Sequence, residues 1–367
     1  MTGINDKAPQ YDYILLICVF LLICTGLIFV YSASSNLALY RFGDPYMYLK
    51  RQSLFCLLGL IVMITGMLLP LDLLSNRKVV LGLFFLSLCA LISLFFIGHT
   101  VNGARRWIRA FGFSFQPTEM AKFSLCVYMA YSMADKCLEM RSFKRGILHH
   151  LIVAGLVMAL ILKQPDHGSV VMIGAWLFIM LFVGGANPFQ LFLVLAVIVP
   201  VGVYLFSHSS YVVHRWEAFR NPWKYADTYG FQTIHSLYAF GVGGIFGVGL
   251  GAGKQKLFYL PEPHTDFILS VIAEEVGFVG VFVIILLYMI VIAKGIKIAI
   301  DTKNLFNKYL AFGISCMLGI QILINMGVVM NLMPSKGITL PLLSYGGSSL
   351  LFSMLEIGIL LNVSSKR

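Results

Sequence analysis

Long apolar segments separated by short polar ones run along almost the whole chain. Ten such segments lie near residues 14–31, 54–70, 79–97, 117–134, 148–163, 169–184, 188–206, 267–293, 309–332 and 342–363. A helix needs about 20 residues to cross the hydrocarbon core of a bilayer, and most of these segments approach that length. The pattern predicts an all-α polytopic membrane protein with about ten transmembrane helices, folded as a single transmembrane domain over residues 1–367.

One long polar stretch, residues 207–266, interrupts this pattern between the seventh and eighth apolar segments. Loops of this length are usually functional or disordered. Its apolar residues, which include Phe240, Ile245, Phe246 and Leu257, argue against disorder. We therefore predict one long, ordered extracytoplasmic loop between spans 7 and 8.

The distribution of basic residues sets the expected orientation. With a cytoplasmic N-terminus, more Lys and Arg residues fall in the inner short loops than in the outer ones, which places both termini in the cytoplasm. The outer short loops still hold several cations, among them Arg51, Arg105 and Arg106. Either an anionic ligand on the outer face or snorkelling toward lipid phosphates would explain these cations.

Composition supports the membrane assignment and narrows the choice of partners. Apolar residues make up 59% of the chain and charged residues 12%, against about 45–50% and 25% in soluble domains. The net charge of +11 is scattered over short loops, so no basic module could hold nucleic acid. Anionic lipid head groups or a phosphate-bearing substrate are better partners. The seven cysteines lie in or beside apolar segments without a CxxC pair, which favours packing roles.

Ionisable residues at the ends of spans are the candidate chemical groups, because charges in hydrocarbon are costly and usually functional. Glu119 and Lys122 are three residues apart on the fourth span and share a helix face, where they can pair. Asp166 lies between Pro165 and Gly168, either as part of a turn or as a ligand for a cation. Asp266 starts the eighth span after two prolines, either as a helix-capping carboxylate or as a general base.

Other motifs carry weaker signals. Glu274 and Glu275 lie deeper in the eighth span and need interior partners. The glycine run at 247–252 matches GxGxxA by letter but lacks the strand–turn–helix context of a dinucleotide site. We expect close backbone approach to a neighbouring helix or to a lipid-linked substrate instead. The run Ser344–Ser349 at the start of the last span suits tight helix packing or a polar lining. The sequence has no metal-ligand cluster of structural type.

Six segments, in order along the chain, resemble the SEDS family of bacterial membrane proteins (shape, elongation, division and sporulation). They are V-N-G-A-R-R-W-I at 101–108, F-S-F-Q-P-T-E-M-A-K at 113–122, Q-P-D-H-G at 164–168, K-Q-K-L-F-Y-L-P-E-P-H-T-D-F-I at 254–268, A-E-E-V-G at 273–277 and P-S-K-G-I-T-L-P-L-L-S-Y-G-G-S-S at 334–349. The stretches K-Q-K-L-F-Y-L-P-E and S-K-G-I-T-L-P within the fourth and sixth segments look more like the cell-division member of the family than the elongation member. His167 and Thr118 depart from the family's commoner Leu and Ser.

The resemblance implies a peptidoglycan glycosyltransferase that polymerises lipid II at the outer face of the bacterial cytoplasmic membrane, for septal wall synthesis or, alternatively, for elongation. The implied partners are lipid II, undecaprenyl-diphosphate-linked glycan, a class B penicillin-binding protein with transpeptidase activity, and other division-complex membrane proteins. No cofactor is certain, although a divalent cation such as Mg²⁺ or Mn²⁺ would suit the diphosphate.

The resemblance maps the family's essential Asp onto Asp266. The candidate substrate-binding residues are Arg51, Arg105, Arg106, Glu119, Lys122, Asp166, His264 and Ser344. Two competing hypotheses remain at this point: a flippase that moves lipid II without chemistry, and a scaffold that only positions the crosslinking enzyme. Only the polymerase requires a base at Asp266.

Overall fold

The computed structural model describes residues 11–101, 104–110, 113–208, 210–257 and 259–366. Parts of two motifs, at residues 102–103 and 258, lie outside the described residues, as does the basic N-terminal Lys7. The helices are α1 (Tyr13–Phe42), α2 (Met47–Leu68), α3 (Leu71–Leu74), α4 (Arg77–Ile97), α5 (Pro117–Asp135), α6 (His149–Leu162), α7 (His167–Val183), α8 (Pro188–Ser207), α9 (Ser210–Arg220), α10 (Phe231–Gly243), α11 (Ile268–Asp301), α12 (Leu305–Val329) and α13 (Gly347–Ser365). The strands are β1 (His99–Val101), β2 (Ala104–Ala110) and β3 (Phe113–Phe115).

Ten of these helices correspond to the ten predicted spans, so the predicted polytopic all-α fold is confirmed. Among the described residues, seven are long and apolar enough to cross a membrane: α1, α2, α4, α6 with the π-helical turn before it, α11, α12 and α13. Helices α7 and α8 are shorter apolar helices. Helix α5 carries Glu119 and Lys122, and it is buried along most of its length by the surrounding helices. An interior helix of this kind can keep polar groups that lipid would not tolerate.

Several boundaries differ from the prediction, and two of them change where predicted site residues lie. Helix α2 begins at Met47, earlier than the predicted segment at 54–70. The prediction began late because Lys50, Arg51 and Gln52 interrupt the apolar pattern in the first turns of this helix. Arg51 therefore lies on a helix and not in a loop. Helix α13 begins at Gly347, so Ser344 belongs to the preceding loop. The long loop holds α9, a 3₁₀ turn and α10, which means that it is ordered, as predicted, but largely helical.

A small antiparallel sheet between α4 and α5 was not predicted. Its strand order is β1-β2-β3, and Ile108 pairs with Phe115 across β2 and β3. Successive residues on a strand point to opposite faces. The neighbouring residues Arg105 and Arg106 on β2 consequently leave the strand in different directions.

The predicted close approach of the glycine run to another helix is confirmed. Helix α11 is broken at Gly277, which has φ 68° and ψ −165°. A Cβ atom at Gly247 would lie 2.2 Å from the backbone oxygen of Glu275. Only glycine therefore permits this contact between the long loop and α11.

Candidate active site

Asp266 is the last but one residue before α11, in the turn that follows Pro261 and Pro263. Asn325 of α12 holds this turn, because its side-chain amide donates to the backbone oxygens of Asp266, at 2.9 Å, and Ile338, at 2.6 Å. The N-cap position of α11 is Phe267. Asp266 precedes that position, so helix capping does not account for its carboxylate.

The Asp266 side chain is half-buried and faces the loop before α13. Its Oδ2 atom lies where a Cβ atom at Gly337 would come within 2.8 Å. Burial raises the pKa of Asp266 to about 7, and the nearby Glu262 adds to that rise, while Arg106 and Arg215 oppose it. A carboxyl group with a pKa near 7 is suited to accept a proton at neutral pH.

Arg106 and Asp166 form a second part of the site. The Arg106 Nη1 atom lies 3.9 Å from Asp166 Oδ1, and its Nη2 donates to the Pro165 backbone oxygen. Asp166 is 4% exposed and caps α7, accepting hydrogen bonds from the Ser169 backbone N–H at 3.3 Å and from its hydroxyl at 2.8 Å. Asp166 therefore serves the turn predicted from its sequence and also faces a cation.

Two further cations, Arg215 and Lys336, complete this site and were missed as site residues by the sequence analysis. Arg215 of α9 donates to the Ser335 backbone oxygen at 2.7 Å. Burial lowers the pKa of Lys336, an effect that Asp166 opposes and Arg215 reinforces. We call the group Arg106, Asp166, Arg215, Asp266 and Lys336 the Asp266 crevice. Lys336 lies in a quoted motif, but Arg215 lies inside the long loop, where no motif marked it.

A cavity of about 220 Å³ adjoins the crevice. Its lining residues are Arg215, Thr228, Tyr229, Phe231, Gln232, Pro261 and Ser335. Two chain segments lie beside Asp266: the turn after Pro261 and the loop at Ser335. Both therefore contribute to the wall of the cavity. Helices α9 and α10 of the long loop close the other side.

Glu119 and Lys122 meet near the start of α5, and their predicted pairing is confirmed. Lys122 Nζ lies 2.7 Å from Glu119 Oε1 and donates to Gln321 Oε1 at 2.9 Å. The Gln321 amide in turn donates to the Thr339 backbone oxygen at 3.0 Å. Buried Glu356 of α13 lies within electrostatic reach of both charges. This cluster braces the loop before α13, which also carries Lys336.

His264 and Ser344, both predicted to bind substrate, are buried. His264 is 1% exposed and packs between Tyr48, at 4.4 Å between ring centroids, and Tyr345, at 5.3 Å. Burial lowers the pKa of His264 to about 4, so the imidazole is neutral near pH 7. Ser344 donates to the Thr265 backbone oxygen at 2.6 Å and accepts from the Leu340 N–H at 2.9 Å. Both residues fix the backbone just before Asp266.

The other two predicted cations are directed to other neighbours. Arg105 Nη1 donates to the Phe95 backbone oxygen at 3.2 Å. Arg51 of α2 interacts with the Tyr345 hydroxyl. Arg106 is therefore the member of the predicted Arg51, Arg105 and Arg106 set that the fold brings beside Asp166 and Asp266.

The fold and the site together define a polytopic helical membrane protein with a half-buried carboxylate among cations at one end of its helix bundle. The family model described as "Cell cycle protein", for FtsW, RodA and SpoVE, matches residues 12–367. The chain belongs to this family.

Named relatives and solved structures agree with that membership. A probable peptidoglycan glycosyltransferase FtsW from Geobacter sp. (strain M18) is 44% identical over 98% of each chain. Stage V sporulation protein E of Bacillus subtilis (strain 168) is 41% identical over 98% of each chain. The fold is similar to a chain from a structure on coordination of polymerization and crosslinking by a peptidoglycan synthase complex, with a TM-score of 0.79 and 30% identity over 97% of this chain and 98% of that one. Thermus thermophilus RodA is similar with a TM-score of 0.71 and 30% identity over 99% of each chain.

Proposed function

We propose that this chain is a peptidoglycan glycosyltransferase that polymerises lipid II, with Asp266 as the catalytic base. The observation that carries the proposal is the half-buried carboxyl group of Asp266 beside Arg106 and Arg215, whose pKa of about 7 suits a base at neutral pH. The names of the FtsW relatives support the reaction class. A flippase or a scaffold would not need a base at this place.

In the proposed reaction, Asp266 accepts the proton of the acceptor's GlcNAc 4-hydroxyl. The hydroxyl oxygen forms a bond to the anomeric carbon of the donor sugar, and the bond between that carbon and the diphosphate breaks. Arg106, Arg215 and Lys336 supply positive charge for the diphosphate that leaves with the lipid. The proton then passes from Asp266 to solvent, which restores the carboxylate.

A divalent cation was expected as an option for the diphosphate. Among the described residues, no group of three or more His, Cys, Asp or Glu side chains is arranged to hold a metal ion. Asp266 and Asp166 are the carboxylates that a Mg²⁺ or Mn²⁺ ion would meet, and such an ion would supply further charge neutralisation. The proposed proton transfer involves only Asp266 and the acceptor hydroxyl.

The proposal extends to the setting of the reaction. Both termini would lie in the cytoplasm, and the Asp266 crevice would open at the outer face of the bacterial cytoplasmic membrane, where septal wall is made. A Cys that replaces Asp227 in the long loop of a cysteine-free chain should then be labelled by a thiol reagent added from outside. Labelling of that Cys only after permeabilisation would reverse the orientation. The synthase complex among similar structures supports a crosslinking partner of the class B penicillin-binding type.

Glycan polymerisation by the purified protein tests the proposed function. We expect chains of glycan from lipid II in detergent or liposomes, with the class B partner raising the rate. Movement of lipid II across liposome membranes without any glycan would instead favour the flippase. Absence of both, with intact binding of the crosslinking enzyme, would favour the scaffold.

A further inference from the structure

The break in α11 is filled by the glycine-rich part of the long loop. At Gly277 the helix loses its regular hydrogen bonding, and backbone groups on both sides of the break bond to this loop. The four hydrogen bonds are Val248 N–H to Glu274 O at 3.0 Å, Gly249 N–H to Glu275 O at 3.0 Å, Phe278 N–H to Gly244 O at 2.9 Å and Val279 N–H to Ile245 O at 3.1 Å. The long loop is therefore built into α11 and does not merely lie on it.

Two consecutive glutamates just before the break hold the next part of the loop. The Glu274 carboxylate accepts from the backbone N–H groups of Lys254, at 2.7 Å, and Gln255, at 3.1 Å. Both Glu274 and Glu275 are 1% exposed. A buried carboxylate is tolerable only with such donors. The expectation of interior partners for these two residues is thus confirmed, and most of the partners lie in the long loop.

Glu275 forms a buried ion pair with Lys256. Lys256 Nζ lies 2.6 Å from Glu275 Oε1 and donates to the Ser32 hydroxyl of α1 at 2.9 Å. The Ser32 hydroxyl in turn donates to Glu275 at 2.7 Å, and the Gly251 N–H donates to it at 3.0 Å. We call Ser32, Lys256, Glu274 and Glu275 the α11 clasp.

The α11 clasp closes a loop that has Asp266 at its midpoint. Lys256 and Glu275 are 19 residues apart in sequence, and Asp266 falls ten residues after the first and nine before the second. The ion pair thus fixes both ends of the segment that presents Asp266, while Ser32 ties those ends to α1. Such closure removes freedom that a loop of this length would otherwise have.

We propose that Lys256 and Glu275 are positioning residues for the glycosyl transfer and act by holding Asp266 at the mouth of the crevice. This inference rests on the proposed function. Neither residue touches the substrate, because both side chains are buried against α1 and α11. A displacement of about 1 Å at a reacting group can lower a rate by about 10²-fold, so a buried lock at the base of the catalytic segment would act on kcat.

Kinetics of clasp variants test the inference. Loss of one partner leaves a buried unpaired charge, so the informative variant is the double one, Lys256→Met with Glu275→Gln, which removes both charges. We expect it to fold, to lower kcat by about 10²-fold and to change the KM for lipid II much less. Lys254→Met is the matched control, because the Lys254 side chain is exposed and only its backbone contacts the clasp. We expect wild-type rates from this control.

Hydrogen exchange separates positioning from general stability. In the double variant, we expect faster exchange at the amides of Gly251, Lys254 and Gln255 and along the segment to Phe267, with α12 still protected. A folded double variant with wild-type kcat would overturn the inference. Loss of protection throughout α12 and α13 would also overturn it, by showing a general folding role. Wild-type protein that makes no glycan would instead overturn the proposed function. The hydrogen-exchange result for the double variant can be obtained whether or not the protein makes glycan.

Discussion

The buried ion pairs and the Asp266 crevice contain the same kinds of charged residue in different arrangements. Near the start of α5, Lys122 lies 2.7 Å from Glu119, and beneath the long loop Lys256 lies 2.6 Å from Glu275. Each lysine has a further polar partner, Gln321 or Ser32. In the crevice, the Arg106–Asp166 separation is 3.9 Å. Arg106 and Arg215 lower the pKa of Asp266 through space, and Glu262 raises it.

This difference separates charges that fix the fold from charges that can act on a substrate. A close, fully hydrogen-bonded pair in a low-dielectric interior satisfies both of its members and gains little from any further ligand. A crevice with three cations and loosely paired carboxylates can still neutralise an incoming anion and take up a proton. The following substitutions test that division.

Replacement of Asp266 by Asn should have the largest effect. The amide keeps the size of the side chain but cannot accept the hydroxyl proton, and loss of a general base typically lowers a rate by about 10²–10⁴-fold. Thermal unfolding in detergent and partner binding should stay close to those of the wild type. Asp72→Asn, at an exposed carboxylate on α3, is the matched control and should polymerise normally.

Replacement of Lys122 by Met should act mainly on stability. Removal of one member of a buried pair leaves Glu119 unpaired, which costs about 3–5 kcal/mol. The melting temperature in detergent should fall accordingly, and the double variant Lys122→Met with Glu119→Gln should recover much of it. A single variant with an unchanged melting temperature would contradict the view of this cluster as a structural pair.

Arg106→Met and Arg215→Met should each reduce polymerisation by up to about 10²-fold, as expected when one electrostatic donor is lost from a transition state. The control is Arg105→Met, because the neighbouring arginine is bonded to the Phe95 backbone on the other side of β2. Steady-state rates at several lipid II concentrations provide the measurement. Equal losses of rate for Arg105→Met and Arg106→Met would contradict the assignment of Arg106, and not Arg105, to the crevice.

The charge neighbours of Asp266 should produce the smallest effect, a change in pH dependence. The base must be deprotonated to act, so the rate should rise as pH passes through the pKa of Asp266. Glu262 raises that pKa and Arg106 lowers it. Glu262→Gln should therefore move the midpoint to lower pH, and Arg106→Met to higher pH. Shifts in the opposite sense would show that another group controls the profile.

The helical fold and much of the site could be predicted because their signals are local. Span-length apolar runs mark the helices, and the three-residue spacing of Glu119 and Lys122 predicts their contact. The turn before α11 identifies Asp266 through its prolines and its motif. The single Gly at 277 gave no sign of a broken helix, since the apolar pattern continues across it.

The parts that were missed depend on contacts between distant segments. Arg215 reaches the crevice only because α9 and α10 fold back over the loop at Ser335, and no local pattern encodes that approach. Glu275 contacts Ser32 and Lys256, which are separated from it by 243 and 19 residues in the chain. His264 was assigned to substrate from the motif that contains Asp266, and Ser344 from the last motif, at 334–349. Their burial and their support of the backbone before Asp266 depend on tertiary contacts that neither motif reveals. The three-stranded sheet separates Arg105 from Arg106, and two of its strands, β1 and β3, have three residues each and are too short to predict from alternation.

The central claim is that Asp266 is the base, held in a cationic crevice with its pKa raised to about 7. The most direct test is the rate of glycan formation from lipid II by purified wild-type and Asp266→Asn protein, measured from well below to well above pH 7. The account predicts a wild-type rate that rises with pH through about 7 and a small residual rate in the variant without that rise. A variant that keeps the wild-type rate, or a residual rate with the wild-type pH profile, would contradict it.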